Sequence, residues 1–267
     1  MSFSEHPFSE HPQCDEFVGF IEELADAARV VLSKRLNDSR FETKDDASPV
    51  TEFDRGVEQT LRSMIRDRYP EHGIIGEEFP PENPDAEFVW IMDPIDGTKS
   101  FVVGIPVFTT LIALCRHSRP VIGIIDAAST QDRWLGVDGR TTTQNGVPVH
   151  TSGRTTLDGA TVSWSNPEVV LEEQRAGRDV LNSRTAWRVF GAAAYGVGRL
   201  ASGALDIAVE SGTVGAYDIC SFVPIIEGAG GVVTDGFGGP VTIATQLTCV
   251  AAATRELHEE AIRVLNG

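Results

Sequence analysis

The chain has 267 residues, enough for one large α/β domain or two intimate lobes around a sizeable core. Hydrophobic residues make up 41% and charged residues 23%, a globular rather than a disordered mixture, and no apolar run approaches the roughly 18 residues of a membrane span. With 39 acidic against 22 basic residues the formal charge is −17, and no basic stripe interrupts it, which excludes a partner held by nucleic-acid phosphates.

The first residues lack the basic-then-apolar order of an export signal. The four cysteines, Cys14, Cys115, Cys220 and Cys249, show neither C-x-x-C nor C-x-x-H spacing. They are read as reduced, buried thiols of a cytoplasmic protein. Residues 1–13 contain a tandem duplication, Phe3-Ser4-Glu5-His6-Pro7 followed by Phe8-Ser9-Glu10-His11-Pro12. Its Pro-broken, aperiodic pattern reads as a mobile tail and not as a metal-binding one. From Cys14 to Leu36 the residues Phe17, Phe20, Ile21, Leu24, Ala28, Val31 and Leu32 recur at helical spacing, and Asn37-Asp38 supplies a stop. A second helix is expected from Thr51, where Thr51 and Asp54 form a loose capping box, through Val57, Leu61 and Ile65 to Tyr69-Pro70.

Short apolar runs bounded by turn residues follow at 73–76, 88–92, 107–115, 121–126 and 133–137, and the stretch 107–137 reads as an antiparallel meander. Beyond residue 150 the order becomes strand 160–164, helix 168–182, strand 187–190, helix 192–202, strand 205–210, helix 218–229, strands 231–234 and 248–253, and helix 255–265. This is α/β alternation, without a Ser/Gly linker before it. We therefore expect one domain over 14–267 made of two lobes, about 14–150 and 151–267, with a site in their cleft.

The segment Asp93-Pro94-Ile95-Asp96-Gly97-Thr98 is the most informative. An apolar strand is expected to end at Asp93, Pro94 to forbid its continuation, and Gly97 to allow a tight turn into a helix start at Thr98-Lys99-Ser100. Two carboxylates at a strand end can share a hard cation, and the free N–H groups of the following turn suit phosphate oxygens. Three further acids stand at comparable places: Glu77 of Gly76-Glu77-Glu78 after Ile74-Ile75, Asp218 of Tyr217-Asp218 at a helix start, and Asp54. Each alone could be a solvated acid or a helix cap; together they form an all-oxygen set that suits Mg²⁺ or Mn²⁺ better than zinc or copper. Asp54, Glu77, Asp93, Asp96 and Asp218 carry five negative charges, which repel a phosphate dianion until two or three divalent cations reverse the local field. That balance points to phosphoryl transfer to water.

These segments, with Glu227-Gly228-Ala229-Gly230-Gly231, resemble in order and spacing the signature of the inositol monophosphatase superfamily of Mg²⁺-dependent, lithium-sensitive phosphatases, over about residues 14–267. The resemblance implies a layered αβαβα sandwich of the inositol monophosphatase and fructose-bisphosphatase type, an α/β fold with a mainly antiparallel N-terminal lobe and an α/β C-terminal lobe. Within the superfamily the chain is most similar to the histidinol-phosphatase group of histidine biosynthesis. The segments that carry this are Lys44-Asp45-Asp46-Ala47-Ser48-Pro49-Val50-Thr51, 73–78, Gly97-Thr98-Lys99-Ser100-Phe101, 110–114 and 217–231. It departs from that group at Gly191-Ala192-Ala193-Ala194-Tyr195, where the group tends to read Gly-Gly-Asp-Cys-Tyr; Ala193 cannot pair with the histidinol ammonium.

By resemblance, Glu77, Asp93 and the Ile95 carbonyl would hold one Mg²⁺, and Asp93, Asp96 and Asp218 a second, with a weaker third near Glu77. Thr98 and Asp54 would orient the attacking water. Gly97 and Thr98 would hold the phosphate, while Gly191, Ala192, Ala193 and Glu210 would line the leaving-group side. The substrate is expected to be a small phosphomonoester, L-histidinol phosphate first. Inositol 1-phosphate or another sugar monophosphate is the alternative, and a bisphosphate nucleotide fits less well because the cleft lacks extra Arg or Lys. A catalytically silent phosphometabolite-binding protein is the different-class reading. The resemblance also allows a homodimer.

Overall fold

The computed structural model describes residues 6–34, 42–43, 49–212 and 214–267. The expected helix stop at Asn37-Asp38, most of the first repeat copy, and residues 44–48 of the motif lie outside them. Helix α1 (Cys14–Leu32) buries Phe17, Phe20, Ile21, Leu24, Ala28 and Leu32 on one face, as their spacing requires. Two short strands, β1 (Glu42–Thr43) and β2 (Pro49–Val50), pair antiparallel ahead of α2 (Glu52–Arg68). Strand β3 (Gly73–Gly76) runs parallel to β4 (Phe88–Asp96), and helix α3 (Thr98–Val103) follows. Strands β5 (Thr109–Arg116), β6 (Arg119–Ala127), β7 (Asp132–Val137), β8 (Thr143–Gln144) and β9 (Val147–Pro148) then continue antiparallel, giving a seven-stranded sheet in sequence order.

The second half alternates β10 (Thr161–Trp164), α4 (Arg175–Arg184), β11 (Trp187–Phe190), α5 (Ala193–Ala201) and β12 (Ile207–Glu210). After these come α6 (Ala216–Ile219), α7 (Phe222–Gly228), β13 (Val232–Asp235), β14 (Cys249–Ala252) and α8 (Arg255–Asn266). Their five strands form a mixed sheet in the order β11-β10-β12-β14-β13.

Strand β4 shows how the layers stack. Successive side chains point to opposite faces, so Phe88, Trp90 and Met92 join the core beneath α1 and α2, whereas Val89 and Ile91 join the core formed with α5, α6 and α7. That second core reaches Ala208, Val233 and Ala251 of the five-stranded sheet, whose other face packs Val162, Trp164 and Val250 against Leu181 of α4 and Leu257 of α8. The result is the expected αβαβα sandwich. Glycines allow the central helix layer to approach: a Cβ on Gly123 would stand 2.3 Å from the Ser221 carbonyl oxygen, and one on Gly136 2.4 Å from the Ile225 nitrogen. This close seat fixes α7 and, just before it, the helix that carries Asp218. All four cysteines are free and buried, and among the described residues no helix is long and apolar enough to cross a membrane.

Four expectations need correction. The tail reading fails for the second repeat copy, because Phe8 is buried, stacks on Phe17 and donates its N–H to the Asp138 carboxylate at 3.0 Å. Strand β4 does not end at Asp93; it runs to Asp96 through a bulge that accommodates Pro94. The helix expected over 218–229 is two helices, since Pro224 cannot donate to the Cys220 carbonyl one turn earlier. The helix expected from 168 begins at Arg175, because the Asn166 side chain accepts the Glu168 N–H and closes a local turn instead.

Candidate active site

The β4 bulge sets the centre of the site. Ile95 N–H donates back to Asp93 Oδ1 at 2.9 Å, Thr98 Oγ1–H donates to the Ile95 carbonyl at 2.9 Å, and Gly97 adopts φ +84° so that the chain can turn into α3. A Cβ on Gly97 would lie 3.1 Å from the Val107 carbonyl, which leaves little space for a side chain. No side chain caps α3, so its first N–H groups remain available to an anion.

The other acids arrive from separate elements. Asp54, in the first turn of α2, accepts both the N–H (2.7 Å) and the hydroxyl (2.6 Å) of Thr51 on Oδ2, completing the capping box. Its Oδ1 is buried without a partner. Glu77 follows β3 and lies close enough to Asp93 to be the neighbouring charge that most disfavours its ionised form. Asp218, on the third residue of α6, accepts the Gly215 N–H at 2.5 Å. Glu210 ends β12 on the side where the charges of Asp96 and Asp218 act on it.

Asp54 and Asp93 are buried, whereas Glu77, Asp96, Glu210 and Asp218 are half-buried, grading from the core to an open edge. Loss of hydration, followed by Glu77, Asp96 and Asp218, pushes the Asp93 carboxyl well above its ordinary range. Burial raises Asp96 to about 6 despite hydrogen bonds from Ala194 and Thr109. Burial and then Asp96 raise Glu210, and burial raises Asp54 with a smaller contribution from Glu77. These groups destabilise one another's charged forms.

Two donors to Asp96 were missed from sequence. Ala194 N–H, at the start of α5, reaches Oδ2 at 2.9 Å, and Thr109 Oγ1–H reaches it at 3.1 Å. The Gly191–Ala194 turn therefore touches the carboxylate cluster, and within it Ala193 has φ +46°. The Gly191–Tyr195 segment that holds Ala194 was singled out in the sequence, but nothing in it or around Thr109 names Asp96 as the partner.

The donor set suits a hard divalent cation: carboxylates and the Ile95 carbonyl, mutual repulsion to relieve, and an orphaned Asp54 oxygen beside them. Among the described residues no three Asp, Glu, His or Cys side chains stand close enough together, as placed, to hold a metal ion.

A layered αβαβα fold with a carboxylate cluster at a bulged strand end is the architecture of a cation-assisted phosphatase. The chain belongs to the inositol monophosphatase family, whose pattern it matches over residues 13–267. It is 35% identical to the histidinol-phosphatase of Mycobacterium tuberculosis, covering 91% of this chain and 95% of that one. It is 36% identical to the chloroplastic bifunctional phosphatase IMPL2 of Arabidopsis thaliana, covering 95% and 76%. The solved inositol monophosphatase of Zymomonas mobilis superposes with a TM-score of 0.85 at 34% identity, covering 95% of this chain and 98% of that one. The chain is thus a phosphatase of this family.

Proposed function

We propose that the protein is a Mg²⁺-dependent phosphomonoesterase that hydrolyses L-histidinol phosphate to L-histidinol and phosphate. The observation that carries this reading is Glu210, at the end of β12, a strand packed against α5; its carboxylate would offer the substrate ammonium a partner that Ala193 cannot. The relatives named histidinol-phosphatase support the same substrate. Glu77, Asp93 and the Ile95 carbonyl would hold one Mg²⁺, and Asp93, Asp96 and Asp218 a second. Bound there, Mg²⁺ supplies Lewis-acid stabilisation of the phosphoryl oxygens and of the leaving oxygen.

The chain's own residues do the rest. Thr98 has committed its only hydroxyl proton to the Ile95 carbonyl, so its oxygen can accept a hydrogen bond from the attacking water and turn that water's free lone pair toward phosphorus. Asp54, buried and raised in pKa, has a free Oδ1 to receive the proton of that water. The uncapped first turn of α3 at Gly97 and Thr98 holds the phosphate.

Side-by-side turnover of histidinol phosphate and inositol 1-phosphate, with Mg²⁺ and with excess chelator, tests this reading. We expect chelator to abolish hydrolysis and histidinol phosphate to be preferred. Glu210→Gln is expected to lower kcat/KM for histidinol phosphate by about tenfold or more, the scale of one charge-assisted hydrogen bond, while sparing an aryl phosphate. Preference for inositol 1-phosphate, which the missing acid at Ala193 and the relatives named inositol monophosphatase favour, would replace the substrate. Equal losses on both substrates in Glu210→Gln would move Glu210 to the cations or the fold.

A further inference from the structure

Helix α2 bears Asp54, Glu58 and Arg62 at four-residue spacing, so the three lie on one face, and all three are buried. Only Asp54 has a place in the chemistry above. Glu58 lies instead inside the loop that carries Glu77. Its Oε2 accepts the Glu78 N–H at 2.8 Å, and its Oε1 accepts the Phe79 N–H at 3.2 Å and the Arg62 Nε–H at 2.8 Å. Arg62 continues outward, donating to the Phe79 carbonyl at 3.0 Å and to Glu82 at 2.7 Å. The loop neck is closed by reciprocal backbone bonds between Ile74 and Glu82, both 2.8 Å.

Gly76 completes the grip. A Cβ there would stand 2.1 Å from Glu58 Oε1 and 2.3 Å from its carboxyl carbon, so the carboxylate rests on the bare Cα. Glu77 is consequently flanked by a residue packed on Glu58 and a residue hydrogen-bonded to it. A buried ion pair is costly, and apolar side chains of equal volume would fill the space more favourably. Apolar side chains could not accept the inward-facing loop N–H groups, which must be satisfied.

We propose that Glu58, locked by Arg62, is a positioning residue that sets Glu77 at the cation site in register with Asp54 on the same helix. This rests on the phosphatase reading of Glu77. Glu58 itself contacts neither the cations nor the substrate; it acts through the backbone on both sides of Glu77.

The test measures Mg²⁺ binding to the substrate-free protein by titration calorimetry, alongside thermal unfolding and kcat. The variants are Glu58→Gln and Arg62→Lys, with Glu77→Gln as reference. An amide at 58 opposes one of its three donors with its own NH₂, and an ammonium at 62 keeps the charge but loses the fork that spans Glu58 and Phe79. Both are expected to weaken Mg²⁺ binding by about tenfold, in folded protein whose kcat at saturating Mg²⁺ stays within about threefold of wild type. Unchanged affinity in Arg62→Lys would mean that the ion pair acts only through its charge, and a lowered Tm with unchanged affinity would mean that it acts only on the fold; either overturns the proposal. Should Glu58→Gln fail to fold, Glu58→Asp keeps the charge but ends one carbon short of the loop, and wild-type affinity there also overturns it. Loss of affinity in Glu77→Gln alone leaves the phosphatase reading intact and removes only the positioning role. Wild-type affinity in Glu77→Gln removes the reading itself.

Discussion

A threonine hydroxyl has one proton to give, and Thr98 gives it to the Ile95 carbonyl at 2.9 Å. The oxygen is left as an acceptor, which suits the water-orienting role proposed for it and leaves the proposed phosphate contact to its backbone N–H. Thr98→Ala removes the first function and keeps the second. Steady-state kinetics should show kcat lowered by about tenfold or more with KM within about threefold, the pattern for an interaction made in the transition state. A raised KM at unchanged kcat would assign Thr98 to ground-state binding. Asp54, Glu77, Asp93, Asp96 and Asp218 could be picked out from the sequence because each is an acid at a helix start or beside a strand end, a local signal. What Asp96 is bonded to could not: Ala194 is 98 positions away and Thr109 is 13, and neither belongs to a motif that names its partner.

At the scale of elements, local chemistry was mostly sufficient. The Thr51–Asp54 capping box and the helical spacing after it place α2 to within a residue of its observed start. Burial of β4 on both faces follows from its unbroken apolar run. Where reading failed, a contact distant in sequence or a single backbone donor decided the outcome. Phe8 sits in a Pro-flanked repeat with no periodicity, yet its ring stacks on His11 at 5.0 Å and Phe17 at 6.3 Å and meets Phe88 edge-on at 6.3 Å. Removing a buried Phe side chain costs about 3 kcal/mol or more. Phe8→Ala is therefore expected to lower Tm by roughly 6–12 °C in a thermal melt. A shift below about 1 °C would return residues 8–13 to the status of a tail.

Over the whole molecule two sets of titrations oppose one another. His72 accepts the Trp90 Nε1–H at 3.0 Å, and burial holds its pKa below the ordinary 6.5. Its unfolded form therefore binds protons first, so its contribution is fully present above about pH 6.5 and is lost as pH falls toward the folded value. The clustered carboxyls run the other way. With pKa values raised above those of the unfolded chain, to about 6 for Asp96, the folded state binds more protons than the unfolded one, and the substrate-free, cation-free protein loses stability as pH rises through that range. A cation that relieves the repulsion should stabilise more where the carboxyls are charged. Mg²⁺ at about 100 times its Kd adds about 2.7 kcal/mol, roughly 5–11 °C in Tm, at pH 7.5. The gain should be clearly smaller at pH 5.5. Equal gains at both pH values would show that Mg²⁺ does not bind this cluster.

The amino-acid sequence by itself determined the family, the alternation of elements, the five carboxylates and the kind of cation they suit, because motifs, periodicity and charge are local properties that survive without coordinates. Only the tertiary structure decided that Glu210 belongs with Asp96 and Asp218, that α5 aims a backbone N–H at Asp96, and that Glu58 and Arg62 fill the loop behind Glu77. Each of these is a meeting of elements far apart along the chain, set by glycines that admit close backbone approach and by the requirement that buried donors find acceptors. No local pattern encodes which distant partner satisfies them.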